Sequence, residues 1–146
     1  MSRSENSLDT KAVLITGGAR RIGAAIARVL HAAGLDVIIH YRHSADAALA
    51  LQEELHAHRP GSVTLCQADL TNSGACERLA QCAHQAFGRL NDLINNASAF
   101  YPTPLDRATE AQWDDLFAIN LKAPFFLAQA CAPMLALHNG AIISLA

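Results

Sequence analysis

The run Thr16, Gly17, Gly18, Ala19, Arg20, Arg21, Ile22, Gly23 has the residue types needed to hold a phosphate. It joins a short apolar stretch, Ala12 to Ile15, to a stretch with helical spacing (Ile22, Ile26, Val29, Leu30) that ends near Gly34. Glycines at such a junction let the backbone bend sharply and approach a pyrophosphate closely. The N–H groups that open the following helix, with the positive end of its dipole, then face the phosphate oxygens. A plain strand-to-helix turn is the bland alternative; the position of the run between a strand and a helix near the N-terminus favours a mononucleotide or dinucleotide site. Arg20 and Arg21 oppose the helix dipole unless an anion offsets them, which makes both candidates for phosphate contact.

A second constellation closes the next apolar stretch: His40, Tyr41, Arg42, His43, Ser44. A carboxylate there would take the ribose hydroxyls of NAD. None is present, and Asp36 lies at the strand's other end. Arg42 offers a charged fork and Ser44 a hydroxyl, the chemistry that suits a 2′-phosphate. One charge-assisted hydrogen bond of that kind sets a preference for NADP of about 10- to 100-fold. The alternative is an ordinary basic residue leaving a strand. Asp69, followed by Leu70, either accepts from an adenine amino group or caps the segment after Thr71, and the two are compatible.

A third group lies further on. Asn95, Asn96, Ala97 and Ser98 pair small side chains with amides, so a flat ring can lie near the backbone while the amides tie strand ends together. Phe100 either stacks on a planar substrate or packs locally. Asn120, among Phe117, Ile119 and Leu121, is either a satisfied core amide or part of a buried water relay. His56 and His58 are two apart, do not share a helical face, and read as a solvated helix end. No metal constellation and no Ser/His/Asp or Cys/His triad emerges.

The elements that must position these residues alternate. Strands are expected over 11–16, 37–41, 62–68, 90–95 and 140–145, and helices over 20–33, from a Ser44 cap to about His58, over 71–87, and from a Thr109/Gln112 capping box to Leu137. Pro124 and Pro133 should kink or divide the last helix. This alternation predicts an α/β fold: a doubly wound parallel sheet of order 3-2-1-4-5, with ligands beyond the carboxyl ends of strands one and four. Residues 1–10 read as a disordered leader, and 11–146 as a nucleotide-binding domain that stops at its fifth strand.

Composition agrees with a single globular unit: 146 residues, 51% hydrophobic and 16% charged. A formal net charge of −2 gives no footprint for nucleic acid. No apolar run is expected to approach the roughly 20 residues of a bilayer span, so no membrane partner is expected. The polar N-terminus is unlike a signal peptide. Cys66, Cys76, Cys82 and Cys131 form no CxxC pair, and reduced thiols in a cytoplasmic protein are the expectation.

Taken together, the TGxxxxxG turn, Asp69-Leu70, Asn95-Asn96-Ala97 and Asn120 resemble the short-chain dehydrogenase/reductase family over nearly the whole chain, with its Rossmann sheet. Within it, the segments His40 to Ser44 and Asn95 to Leu105 (NNASAFYPTPL) resemble the pteridine reductases. The resemblance implies NADPH-dependent reduction of a dihydropterin, a pterin or dihydrofolate. It implies cofactor contacts from Gly17, Arg20, Arg21, Ile22, Gly23, His40, Tyr41, Arg42, Ser44, Asp69, Leu70, Asn96, Ala97 and Ser98. Arg21, Ser98 and Phe100 would meet the substrate, with the pterin sandwiched between Phe100 and the nicotinamide. Asn120 would join a proton relay, and the helix from Thr109 would pair with its copy in a homo-oligomer. Many family members carry glycine where Arg21 stands. The family's Tyr-x-x-x-Lys pair is absent: neither Tyr41 nor Tyr101 has a lysine four residues on. The 146 residues alone are therefore expected to be inactive. Two rival readings are a general NADPH-dependent carbonyl reductase of oxoacyl type and a non-catalytic NADP-binding protein.

Overall fold

The computed structural model describes residues 10–145; all of the expected leader except Thr10 lies outside that range. Five parallel strands, β1 (Ala12–Ile15), β2 (Asp36–Tyr41), β3 (Val63–Gln67), β4 (Asp92–Asn95) and β5 (Ala141–Ser144), form one sheet in the order β3-β2-β1-β4-β5. The helices are α1 (Arg21–Ala32), α2 (Ala45–His58), α3 (Ala75–Phe87), α4 (Glu110–Phe117) and α5 (Ala123–Ala136). This is the doubly wound arrangement that the alternating pattern predicts.

Strand alternation divides the core in two. Val13, Ile15, Val37 and Ile39 point toward Ala27 of α1 and Leu51 and Leu55 of α2. Leu14, Ile38 and Leu93 point the other way, toward Leu79 and Ala83 of α3 and Leu127 and Cys131 of α5. The central strands are therefore buried on both faces, which is why they read as continuous apolar runs. At the amino ends of the strands Asp36 meets Arg89 at 2.7 Å, far from the ends where a ligand would bind.

Several local expectations are corrected. The helix read from Thr71 starts at Ala75, because Asp69 accepts from the amide and hydroxyl of Thr71 (3.0 and 2.6 Å) and holds that segment in a turn. Ser44 stands at the N-cap of α2 but makes no side-chain capping bond. The Thr109/Gln112 capping box is present. The helix beyond it is divided by a π-turn, Ala118–Lys122, in which the amide of Ala123 bonds Ala118 five residues back. Pro124, next in the chain, has no N–H to continue the α-pattern, so the widened turn falls just before it. Pro133 stays inside α5.

The continuous helical run Glu110–Ala136 also corrects the expectation that no apolar stretch is long enough for a bilayer, since its length and composition suffice. Its Ala123, Leu127, Cys131 and Leu135 are packed into the core under the sheet. His56 is half-buried, with Nε2 3.0 Å from the Val63 carbonyl, and is no solvated end. Finally, Cys66 on β3 and Cys82 on α3 form a disulfide, contrary to the expectation of four thiols. Their sequence separation of 16 hides a Cα–Cα distance of 6.4 Å, because α3 folds back over β3. Cys76 and Cys131 remain thiols, both buried, and burial pushes Cys131 up to about 12.

Candidate functional site

The turn after β1 is clamped from two sides. From β2, the ring Nδ1 of His40 accepts from the Gly17 amide at 3.1 Å, and the His40 carbonyl accepts from Gly18 at 3.0 Å. From the end of β4, Asn96 Nδ2 donates to the carbonyls of Thr16 and Gly17 at 3.1 and 3.2 Å. The Thr16 hydroxyl in turn accepts from the amides of Asn96 and Ala97 at 3.0 and 2.9 Å. Gly17 has φ +60°, which favours glycine. A Cβ on Gly23 would collide with the Gly17 carbonyl and stand 2.7 Å from Asn96 Nδ2, so α1 can start this close to the turn only without a side chain there.

Arg21 has φ +49°, a left-handed conformation that favours glycine. Arg20 and Arg21 are both exposed. Among the described residues, no hydrogen bond occupies the amides of Arg21, Ile22 and Gly23, the expected state of a helix start. Free donors and two cations thus lie together at the start of α1.

At the end of β2, Arg42 pairs with Asp69 at 2.8 Å and is half-exposed. The Thr71 hydroxyl and amide, and after them Arg42, hold the Asp69 carboxyl below its usual range. Asp69 is thus an anchor for Arg42 and for the Thr71 turn, and caps no helix. His40 is buried at 3% exposure and lies two residues beyond Ile38 on the same face of β2. Burial pushes its pKa down, against the pull of the Ala68 carbonyl and Asp69.

Beyond β4, Asn95 donates to the Ser144 hydroxyl at 3.3 Å. Asn120, in the π-turn, is exposed, so it is no core amide. Its Nδ2 donates to the Ala99 carbonyl at 2.8 Å and its Oδ1 accepts from the Ala99 amide at 3.0 Å. That reciprocal pair fastens the loop carrying Ser98 and Phe100 to the helices. Phe100 is 90% exposed, which leaves no local packing role for its ring. Tyr101 donates to Asp115 on α4 at 2.9 Å.

These pieces border one cleft of about 580 Å³ across the carboxyl ends of the central strands. Gly17, Arg20, Arg21 and Ile22 form one wall, and His40, Tyr41, Arg42 and Ser44 a second. Leu70, Asn96, Ala97 and Ser98 form a third. Gly23 lies behind the turn; Asp69 lines the neighbouring depression beside the disulfide; Phe100 and Asn120 stand outside the lining. The sequence reading passed over Ala19, Ala68, Ala99 and Ile119, whose small or apolar side chains carry no chemical signal. Thr16 opens the run read as phosphate-holding, but the tie from its hydroxyl to the end of β4 shows only in the fold. Among the described residues no cluster of His, Cys, Asp or Glu has metal-binding geometry.

The profile of the short chain dehydrogenase family matches residues 11–146. The chain belongs to the short-chain dehydrogenase family. Relatives in it include pteridine reductase 1 of Leishmania tarentolae, 37% identical over 154 aligned residues, covering 84% of this chain and 53% of that protein. A 3-oxoacyl-[acyl-carrier-protein] reductase of Staphylococcus aureus is 36% identical over 137 residues, covering 93% of this chain and 55% of that protein. A short-chain dehydrogenase/reductase of Pestalotiopsis microspora is 38% identical over 122 residues, 84% of this chain and 46% of that protein. The chain thus spans about half the length of these short-chain dehydrogenase relatives.

Proposed function

We propose that this short-chain dehydrogenase chain supplies the NADPH-binding half of a reductase acting on a dihydropterin, a pterin or dihydrofolate. The observation that carries the reading is the pairing of two groups at one cleft. Arg42 and Ser44 line the cleft with no acid on β2 beside them, and Ser98 lines it two residues before the exposed Phe100, which stands just outside the lining.

The residues present fit a dinucleotide. Gly23 leaves the backbone bare where a Cβ would block the turn, Gly17 does so where one would crowd Ala97, and the amides of Arg21, Ile22 and Gly23 have no partner among the described residues. Arg20 and Arg21 add positive charge beside them. When bound, NADPH supplies a hydride. The chain's own part is to hold its diphosphate at the start of α1, to meet the 2′-phosphate with Arg42 and Ser44, and to keep a flat ring close to Ala97 and Ser98. Asp69 holds Arg42 in place for this. Phe100 and Arg21 form the pterin side, and Asn120 serves the relay by fixing the Ala99 backbone. The Tyr-x-x-x-Lys pair for proton transfer is absent from residues 1–146. We place the protein in the cytoplasm, where the Cys66–Cys82 bond would close only under oxidising conditions, and expect a homo-oligomer through the helical run Glu110–Ala136.

The oxoacyl reductase among the relatives favours a second reading, a carbonyl reductase on the same cleft. NADPH oxidation by the protein together with a Tyr-x-x-x-Lys segment separates the two: turnover of dihydrobiopterin or dihydrofolate supports the first, and turnover of an acetoacetyl thioester alone refutes it. A titration of NADPH against NADH tests the nucleotide. Arg42→Ala should weaken NADPH by about 10- to 100-fold and leave NADH unchanged; equal affinity for the two nucleotides in the unmodified protein would refute the assignment.

A further inference from the structure

We infer that His40 is a positioning residue: its neutral imidazole, with the proton on Nε2, bolts the glycine turn to the end of β3 and so sets the path of the backbone that faces the dinucleotide. The assignment follows from which atoms can donate. The Gly17 amide can only donate, so Nδ1, 3.1 Å away, must be bare. The Ala68 carbonyl can only accept, so Nε2, 2.9 Å away, must carry the hydrogen. One tautomer satisfies both, and a doubly protonated ring would set an N–H against the Gly17 N–H. The residue's own carbonyl takes the Gly18 amide at 3.0 Å, so residue 40 engages both glycine amides.

This has a consequence for the ligand. With the Gly17 and Gly18 amides turned toward His40, a diphosphate meets the later amides of Arg21, Ile22 and Gly23. The bolt therefore decides which donors the turn shows, without touching the phosphates. His40 lies at 3% exposure, and two of its ring atoms are committed within the protein. The carboxylate beside it, Asp69, is engaged by Arg42 and Thr71. Cys66, its register partner on β3, is tied in the disulfide and cannot titrate.

The consequence for binding rests on the NADPH reading above; the bolt itself does not, and the experiment keeps them apart. In nucleotide-free protein with labelled histidine, the long-range ¹H–¹⁵N spectrum should show a bare Nδ1 and a protonated Nε2 on His40 at neutral pH. The opposite tautomer or an imidazolium overturns the bolt. NADPH titrations then compare three variants. His40→Asn places an amide oxygen near the Nδ1 position and should stay within about 3-fold of the unmodified protein. His40→Gln places its amide near the Nε2 position, cannot accept from Gly17, and should lose about 10-fold or more, as should His40→Leu. Equal affinity in all three, or an equal loss in Asn and Gln, overturns the positioning role. Should the unmodified protein fail to bind NADPH, the proposed nucleotide falls, while the histidine spectrum still decides the bolt.

Discussion

At Arg21 the backbone adopts a conformation that a Cβ resists, and the side chain there is a cation facing the cleft. Left-handed backbone costs a non-glycine residue about 1–2 kcal/mol. Arg21→Gly would remove that cost but add about 0.5–1 kcal/mol of unfolded-chain entropy. Urea unfolding should thus shift by no more than about 1.5 kcal/mol, toward greater stability, while NADPH affinity falls by about 10-fold through the lost charge. A large loss of stability with unchanged affinity would show that Arg21 serves the fold. His40 and His31 make a second residue-scale prediction. Burial lowers both pKa values from 6.5, helped at His31 by Arg59. A histidine kept neutral in the folded protein binds its proton more readily when unfolded, so its contribution is complete above about pH 6.5 and is lost as pH falls below it. Stability measured by urea should decline between pH 7 and pH 5.5 by no more than about 1.4 kcal/mol per pH unit for each ring. His31→Gln should flatten the decline in part; an unchanged slope would exclude His31 as a source. Residue 40 also shows where sequence reading stops. Its type and place at a strand end were legible, and the reading gave it a cofactor contact. That it faces inward with Ile38 was implicit in the two-residue period, but Ala68 as the partner of its ring needed the fold.

The elements were legible where one signal dominated. Apolar runs placed all five strands, and Thr109 with Gln112 placed the start of α4. They were misread where two signals competed. Thr71 looks like a helix start, yet Asp69 binds its amide and hydroxyl and Gly74 turns left-handed before Ala75. The π-turn was foreshadowed only by Pro124, and its use is to present Asn120 to Ala99. Asn120→Leu should therefore speed hydrogen exchange at the Ala99 amide while amides within α5 keep their protection; unchanged exchange at Ala99 would mean that the loop is held by other contacts. The disulfide makes another element-scale case. It closes a loop of about 15 residues between β3 and α3, which in the chain-entropy account contributes about 3 kcal/mol. Cys82→Ser should lower stability by that order under oxidising conditions and by much less in excess reductant. Equal stabilities under both would show that Cys66 and Cys82 are not joined in solution.

At the scale of the whole molecule, burial is lopsided. The strands β1 and β2 are covered on both faces, whereas β5 leaves Ile142 and Ile143 at 45% and 54% exposure. The helical run beside it exposes Trp113, Phe117, Leu121 and Phe125, with the rings of Trp113 and Phe117 stacked at 4.2 Å. Two different surfaces are thus left apolar, a helix face and a sheet edge, and they need different partners. A helix face is buried by another helix face through ridges and grooves. A sheet edge recruits any extended chain, which makes it the aggregation hazard. The 146-residue chain produced alone should therefore self-associate, with mass rising with concentration in light scattering. The two surfaces can be told apart by charge. Ile143→Lys should suppress the irregular, growing species by blunting the edge, whereas Phe125→Glu should remove a discrete small oligomer if the helices pair with their copies. A monomer at all concentrations with a sharp cooperative melt would show that neither surface drives association.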